Sequence, residues 1–193
     1  MKTSRAAGTA GLICALTLFS GCQHTEIKID RTPMPTVAAP PYVCKYIPLK
    51  AVELMTGEHN PLVRGYMDLD RPDAGDGDCA IYQRGGDRLK VLQILLVPLS
   101  SEDRVKDQLQ NGASPLPAII PGAIGYYGEN SSTDDNSAHA MLARGHAELL
   151  IKSEKGVEGR DNAADVVALM KLIAPKLIKP DSTPTLTPST TRG

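Results

Sequence analysis

The chain predicts an α+β fold: one antiparallel sheet with helices packed on one face, built of loosely repeated helix–three-strand units and closed by a C-terminal helix. Three observations carry this expectation. Residues 162–177 draw a continuous apolar stripe at helical periodicity through Ala163, Val166, Val167, Met170, Ile173, Ala174 and Leu177. Residues 88–98 begin by alternating and end apolar on both sides, the pattern of a strand running into the middle of a covered sheet. Along the chain the segments run helix, strands, helix, strands, helix, which suits helices segregated onto an antiparallel sheet.

Each element follows in order. Residues 47–57 read as a short helix. Pro48 fits its first turn, Leu49, Val52 and Met55 fall three apart on one face, and Gly57 stops it. A loop is expected next, then a short strand over residues 79–83, a turn at Gly85-Gly86-Asp87, and the strong strand over 88–98. Ser100 and Ser101 offer caps for a helix that runs to about Asn111 and closes at Gly112. Pro115, Pro117 and Pro121 make the following loop irregular. A strand over 123–128 precedes a hairpin formed by residues 137–143 and 146–153 around Arg144-Gly145. Asp161 then opens the last helix.

The N-terminus has an organisation of its own. Lys2 and Arg5 precede an uncharged run from Ala6 to Phe19, and Ser20-Gly21 place small residues directly before Cys22. A positive end, a short apolar stretch and a small-residue cut site make a secretory signal. The apolar run is shorter than the roughly 20 residues of a spanning helix. The stretch Leu18-Phe19-Ser20-Gly21-Cys22 resembles the lipobox of bacterial lipoproteins, with Phe19 where that pattern usually has Leu. The resemblance implies a diacylglyceryl group on the Cys22 thiol and cleavage just before it. Cys14 is the weaker candidate because Leu12 and Ile13 are too large for the cut site. The expected organisation is therefore a signal peptide over 1–21, a Pro-rich tether over 22–41, a folded extracytoplasmic domain over 42–179, and a disordered Thr/Pro-rich tail over 180–193.

Composition narrows the function further. The 193 residues hold 21 basic and 22 acidic side chains; losing residues 1–21 removes Lys2 and Arg5 and leaves 19 against 22, a net charge of −3. That balance offers no basic footprint for nucleic acid. There is no Trp, and the one Phe lies in the signal, so aromatic platforms for bases or sugars are poor. With Cys14 removed and Cys22 given to lipid, Cys44 and Cys79 remain. In an oxidising compartment such a pair bridges. A loop of that length is worth roughly 3–4 kcal/mol in the chain-entropy model. Beyond the anchor, Cys44 ahead of a short helix ending in Gly57, Cys79 opening a strand, and a final helix resemble uncharacterised actinobacterial cell-envelope lipoproteins of the Cys–helix–Gly–Cys type. Ile81-Tyr82 stands where that family often has Trp. That resemblance implies place and fold, and no activity.

Candidate chemistry is sparse. Asp68, Asp70, Asp73, Asp76 and Asp78 suggest calcium by composition, but Pro72 interrupts them and the EF-hand spacing is missing, so a solvated acidic loop is the expectation. Residues 129–136 add polar oxygens and read as a hairpin tip. His139 and His146 flank a turn at a separation that matches no ligand pattern, and no CxxC, HExxH or G-x-S-x-G occurs. Glu158-Gly159-Arg160-Asp161-Asn162 reads as a turn and cap rather than an anion site. Ile119, Ile120, Tyr126 and Tyr127 are the expected lining of an apolar ligand groove. The expectation is a non-enzymatic lipoprotein without metal or cofactor, anchored at Cys22 to the outer face of the cell membrane and binding an envelope protein partner. A carrier of lipid or another apolar ligand needs a cavity between sheet and helices. An enzyme needs His139 or His146 joined to the acidic loops.

Overall fold

The structure, a computed structural model, describes residues 31–70, 75–99, 101–129 and 136–179. The expected signal segment over 1–21, Cys22 and the expected tail from residue 180 lie outside the described residues.

Gly57 stops the first helix, α1 (Leu49–Thr56), as the sequence predicts, whereas Pro48, expected in its first turn, stands just outside it in an extended conformation. Gly57 takes a left-handed φ of 70° and returns its N–H to the Glu53 carbonyl at 2.9 Å. Before it, β1 (Tyr42–Val43) and β2 (Ile47–Pro48) form a two-residue ribbon. The rest of the chain gives β3 (Leu62–Asp68), β4 (Asp76–Tyr82), β5 (Lys90–Val97), α2 (Glu102–Gln110), β6 (Ser114–Pro115), β7 (Ile124–Glu129), β8 (Ala138–Arg144), β9 (Ala147–Ser153) and α3 (Asn162–Leu177). The seven strands from β3 to β9 make one antiparallel sheet in the order β3-β4-β5-β9-β8-β7-β6. Two meanders, each led by a helix, meet where β5 pairs with β9. The α+β class, the helix–strands repeat and the closing helix are all present.

The loop expected after α1 holds a strand instead. β3 is a sheet edge in which only Met67 is buried, so it shows no buried face in sequence. Gly65 sits in its middle at φ 112°, and a Cβ there would lie 1.8 Å from the Asp78 carbonyl oxygen. Glycine at this point permits the close approach of β4 rather than breaking the strand.

Strand alternation decides which helix meets which face. Ala140 and Leu142 of β8 share a face with Leu149 and Ile151 of β9, Ile94 and Leu96 of β5 and Cys79 of β4. That face carries α1 and α3 and the main core, with Val52, Met55, Leu169, Met170 and Ile173 buried against it. Met141 and Ala143 point the other way and pack on Val105 of α2. The expectation of helices on one face thus holds for α1 and α3, while α2 covers a corner of the reverse.

Three local readings also shift. The buried belt of α3 includes Leu169 and Leu172, whereas Ala163 and Val167 are only half-buried at its margin. Ser101 sits at the N-cap of α2, yet its hydroxyl donates to the buried carboxylate of Glu148 instead of the helix; Ser100 is outside the described residues. The boundary at residue 41 moves too. Residues 31–41 lie against the domain: Thr32 accepts from Arg160 at 2.9 Å, and Met34 and Ala38 pack on the core. Tyr42 reaches the last turn of α3, its ring 5.1 Å from Lys176 Nζ. This strap follows α3 from its first turn to its last, because Pro33 and Pro35 keep it extended while its apolar residues find a covered surface.

Candidate functional site

On the face opposite the main core, the register sets three rows across the strands. One holds Tyr126, Met141, Leu150, Leu95, Asp78 and Tyr66; the next holds His139, Lys152, Gln93, Ala80 and Arg64; the third holds Ile124, Ala143, Glu148 and Val97. Helix α2 takes the β7–β8–β9 corner of this surface, where Val105 and Leu109 pack with Met141, Ile124, Tyr126 and Leu150. Glu148, 4 % exposed, fastens that corner: it accepts hydrogen bonds from Ser101 and from Arg104. Both donors come from α2 and its cap, so the buried charge is met from one element.

Beyond that corner, no helix among the described residues covers the β3–β4–β5 part of the face. Tyr66 is 60 % exposed there. Arg64 lies over the Tyr82 ring at 5.4 Å. Gln93 donates to Asp78 at 3.0 Å and accepts from Lys90 at 2.7 Å. Glu154 bridges Lys90 at 3.4 Å and Lys152 at 2.8 Å. Burial alone would raise the Glu154 carboxyl, but the hydrogen bonds and charges of Lys152 and Lys90 outweigh it and hold it below the usual range. The result is a polar lattice with aromatic and aliphatic side chains set into it.

Placing the other expected residues separates several that sequence had grouped. Cys44 and Cys79 form a disulfide, with Cα atoms 6.0 Å apart, which ties the turn between β1 and β2 to the core face of β4. Tyr126 and Tyr127 are neighbours in a strand and therefore face opposite ways. Tyr127, Ile119 and Ile120 pack on the main core, whereas Tyr126 meets His139 edge to face at 5.7 Å beside α2. The four residues proposed to line one groove do not line one. His139 is half-buried, and burial, helped by the charge of Lys152, pushes its imidazole below the ordinary value. His146 sits exposed in the β8–β9 turn, at the other end of β8. Asp68 faces Asp76 across β3–β4, and Asp73 is outside the described residues. Among the described residues no group of three or more His, Cys, Asp or Glu side chains could hold a metal. No helix among them is long and apolar enough to cross a membrane.

Two grooves flank α3. One, about 480 Å³, is where Arg31 to Met34 run beside Gly159, Arg160, Asp165 and Ala168. The other, about 700 Å³, lies between Ala163, Val167 and Lys171 of α3 and Leu116, Tyr127 and Glu129 at the β6–β7 edge. Tyr127 is the one member of the expected groove that lines it.

Two functional-looking arrangements escaped the sequence reading. Asp161 caps α3 as expected, accepting from Ala164 N–H at 2.8 Å. Its neighbour Arg160, however, grips Asp165 at 2.7 and 2.8 Å and also the strap. Glu148 was the other; a lone acid in the apolar run from Ala147 to Ile151 is a legible signal that such a charge has a partner. Compared with known proteins, the chain matches no family model and no curated protein.

Proposed function

We propose that this chain is a lipid-anchored cell-envelope protein, held by Cys22 on the extracytoplasmic side of the cell membrane, whose domain binds another envelope protein. The uncovered β3–β4–β5 surface carries the reading. It presents Tyr66, Tyr82 and Leu95 among Arg64, Asp78 and Gln93, and aromatic and arginine side chains are the groups that dominate protein–protein contacts. The Cys44–Cys79 disulfide supports the exported location, since such bonds persist in oxidising compartments.

The anchor is tested by fractionating cells that express the chain or its Cys22→Ala form. The native chain stays with membranes after a high-salt wash, and the variant is released; equal retention of both rejects the anchor. For the partner, a photo-crosslinking residue at Tyr66 should capture a discrete envelope protein that the same residue at Lys171, on the far side of the sheet, does not. Arg64→Glu should abolish that product. Identical products from both sites remove the open face as the docking surface.

A second reading, binding of a lipid or other apolar small ligand, is favoured by the 700 Å³ groove beside Tyr127 and Val167. Native mass spectrometry of envelope-purified protein tests it. A bound mass that Val167→Asp displaces supports the reading, and protein that flies without added mass removes it.

A further inference from the structure

The two edges of the seven-stranded sheet are finished differently. β6 is two residues long, ends at Pro115 and is followed by Pro117, so few backbone groups there can take another strand. β3 carries no proline, and its register with β4 is unbroken over seven pairs, from Leu62↔Tyr82 to Asp68↔Asp76. No strand among the described residues lies along its other side. Side chains close both ends of this open stretch: Arg84 Nε donates to the Asn60 carbonyl at 2.6 Å, and Lys179 Nζ donates to the Leu69 carbonyl. Between them Arg64, Gly65 and Tyr66 are exposed in succession. An unpaired edge of this length is a template for one more strand.

The residues of β3 fit a second β3. A two-fold axis perpendicular to the sheet pairs the two copies antiparallel and keeps their outer faces on the same side. Facing residues then belong to the same face, so the axis passes through one residue of the strand. Centred on Arg64, the pairing sets two guanidinium groups against each other, which is unfavourable. Centred on Gly65, it opposes Leu62 to Asp68 and makes no charge pair. Centred on Val63 or Met67, it brings in Pro61, which has no N–H, or Leu69, whose carbonyl is taken. Centred on Tyr66, it uses residues 64–68 alone and opposes Arg64 of each copy to Asp68 of the other. Gly65 then faces Met67, and the two Tyr66 side chains face each other on the axis. Arg64, Tyr66 and Asp68 all lie on the outer face, so two opposite-charge pairs flank one aromatic pair. In the single chain Arg64 lies over its own Tyr82, and the pairing gives it a carboxylate within reach on the open side.

We propose that two copies of this chain pair through β3, antiparallel about Tyr66, with Arg64 of each against Asp68 of the other. The joined sheets present both β3–β4–β5 faces as one continuous surface. This goes beyond the envelope-partner reading, which concerns the face and not the edge, and it does not depend on Cys22.

The test uses the purified full-length chain carrying one added cysteine, oxidised mildly and resolved by size without reductant. The parent chain, with its own cysteines, sets the background. At Tyr66→Cys the facing Cα atoms lie about 5 Å apart, within disulfide reach. At Arg64→Cys the two copies are offset by four residues, roughly 13 Å along the strand, and out of reach. Tyr66→Cys should therefore give a covalent dimer at several-fold the yield of Arg64→Cys. Mixing Arg64→Cys chains with Asp68→Cys chains should give a dimer that neither gives alone. In the Tyr66→Cys background, Arg64→Asp should lower the yield several-fold, and adding Asp68→Arg should restore it. Equal yields at 64 and 66, a dimer no more abundant than in the parent, or a double reversal that restores nothing overturns the pairing. A covalent dimer alongside a Tyr66 photo-crosslinker that captures no other protein supports the pairing and removes the envelope partner. A captured envelope protein without the dimer does the reverse.

Discussion

Arg160 and Asp165 meet across the first turn of α3 in a two-point ion pair, Nε to Oδ2 at 2.7 Å and Nη2 to Oδ1 at 2.8 Å, with the side chains 5 % and 9 % exposed. The remaining guanidinium nitrogen donates to the carbonyl of Thr32, 128 residues earlier. One planar cation thereby satisfies a buried acid, holds the helix start and pins the strap.

Removing that cation should leave Asp165 buried and unpaired. Arg160→Ala is expected to lower stability by about 3 kcal/mol or more, read from urea unfolding midpoints. Trypsin should cut after Arg31 faster than in the unmodified chain. Arg160→Lys keeps the charge without the fork and should recover only part of the loss. A lysine variant as stable and as protected as the parent would show that charge alone suffices.

The disulfide closes a loop between residues 35 apart in sequence. Replacing both cysteines, Cys44→Ala with Cys79→Ala, should cost roughly 3–4 kcal/mol by the chain-entropy argument. The unmodified chain should lose a similar amount on reduction, and the double variant should not respond to reductant. Equal midpoints for all four conditions would contradict this.

Glu148 joins α2 to β9. Truncating it to alanine leaves the Ser101 hydroxyl without its acceptor and Arg104 without its counter-charge, at a cost of about 1–3 kcal/mol. Hydrogen exchange should quicken across residues 102–110 while α3, on the other face, keeps its protection. If both helices loosen together, Glu148 supports the whole fold rather than the α2 corner.

His139 makes stability depend on pH. Its imidazole is held below the ordinary value, first by burial and then by Lys152, with Tyr126 the aromatic group packed on it. The unfolded chain therefore binds the proton more readily than the folded one. The stabilisation is complete above the ordinary imidazole pKa of about 6.5 and is lost as pH falls through the depressed folded value. Thermal midpoints should fall between pH 7.5 and 5.5, and His139→Gln should flatten that fall. An unchanged slope in the variant would assign the pH dependence to another group. Glu154, also depressed, acts at lower pH, below the ordinary carboxylate value.

Much of the fold was legible before any coordinates, because the signals are local. Helical spacing located α1 and α3, the flanking Ser101 and Gly112 located α2, the alternating run located β5, and the segments around Arg144-Gly145 gave β8 and β9. The cysteine pair followed from elimination and is a disulfide. β3 was hidden because an edge strand with Gly65 at its centre has no buried face to print a pattern. The groove assigned to Tyr126 and Tyr127 failed on the simplest rule of strands, since adjacent residues cannot share a face.

By itself the sequence determined the helix and most strand positions, the cysteine partners and the near-neutral charge. Each of these depends on covalent neighbours or on the periods 2 and 3.6 that a backbone imposes on them. Only the tertiary structure decided which face of the sheet α2 covers and which part no described helix covers. It alone joined Arg160 to Thr32 and Ser101 to Glu148. Those relationships rest on contacts between residues tens of positions apart, which form only when the packed sheet brings them together.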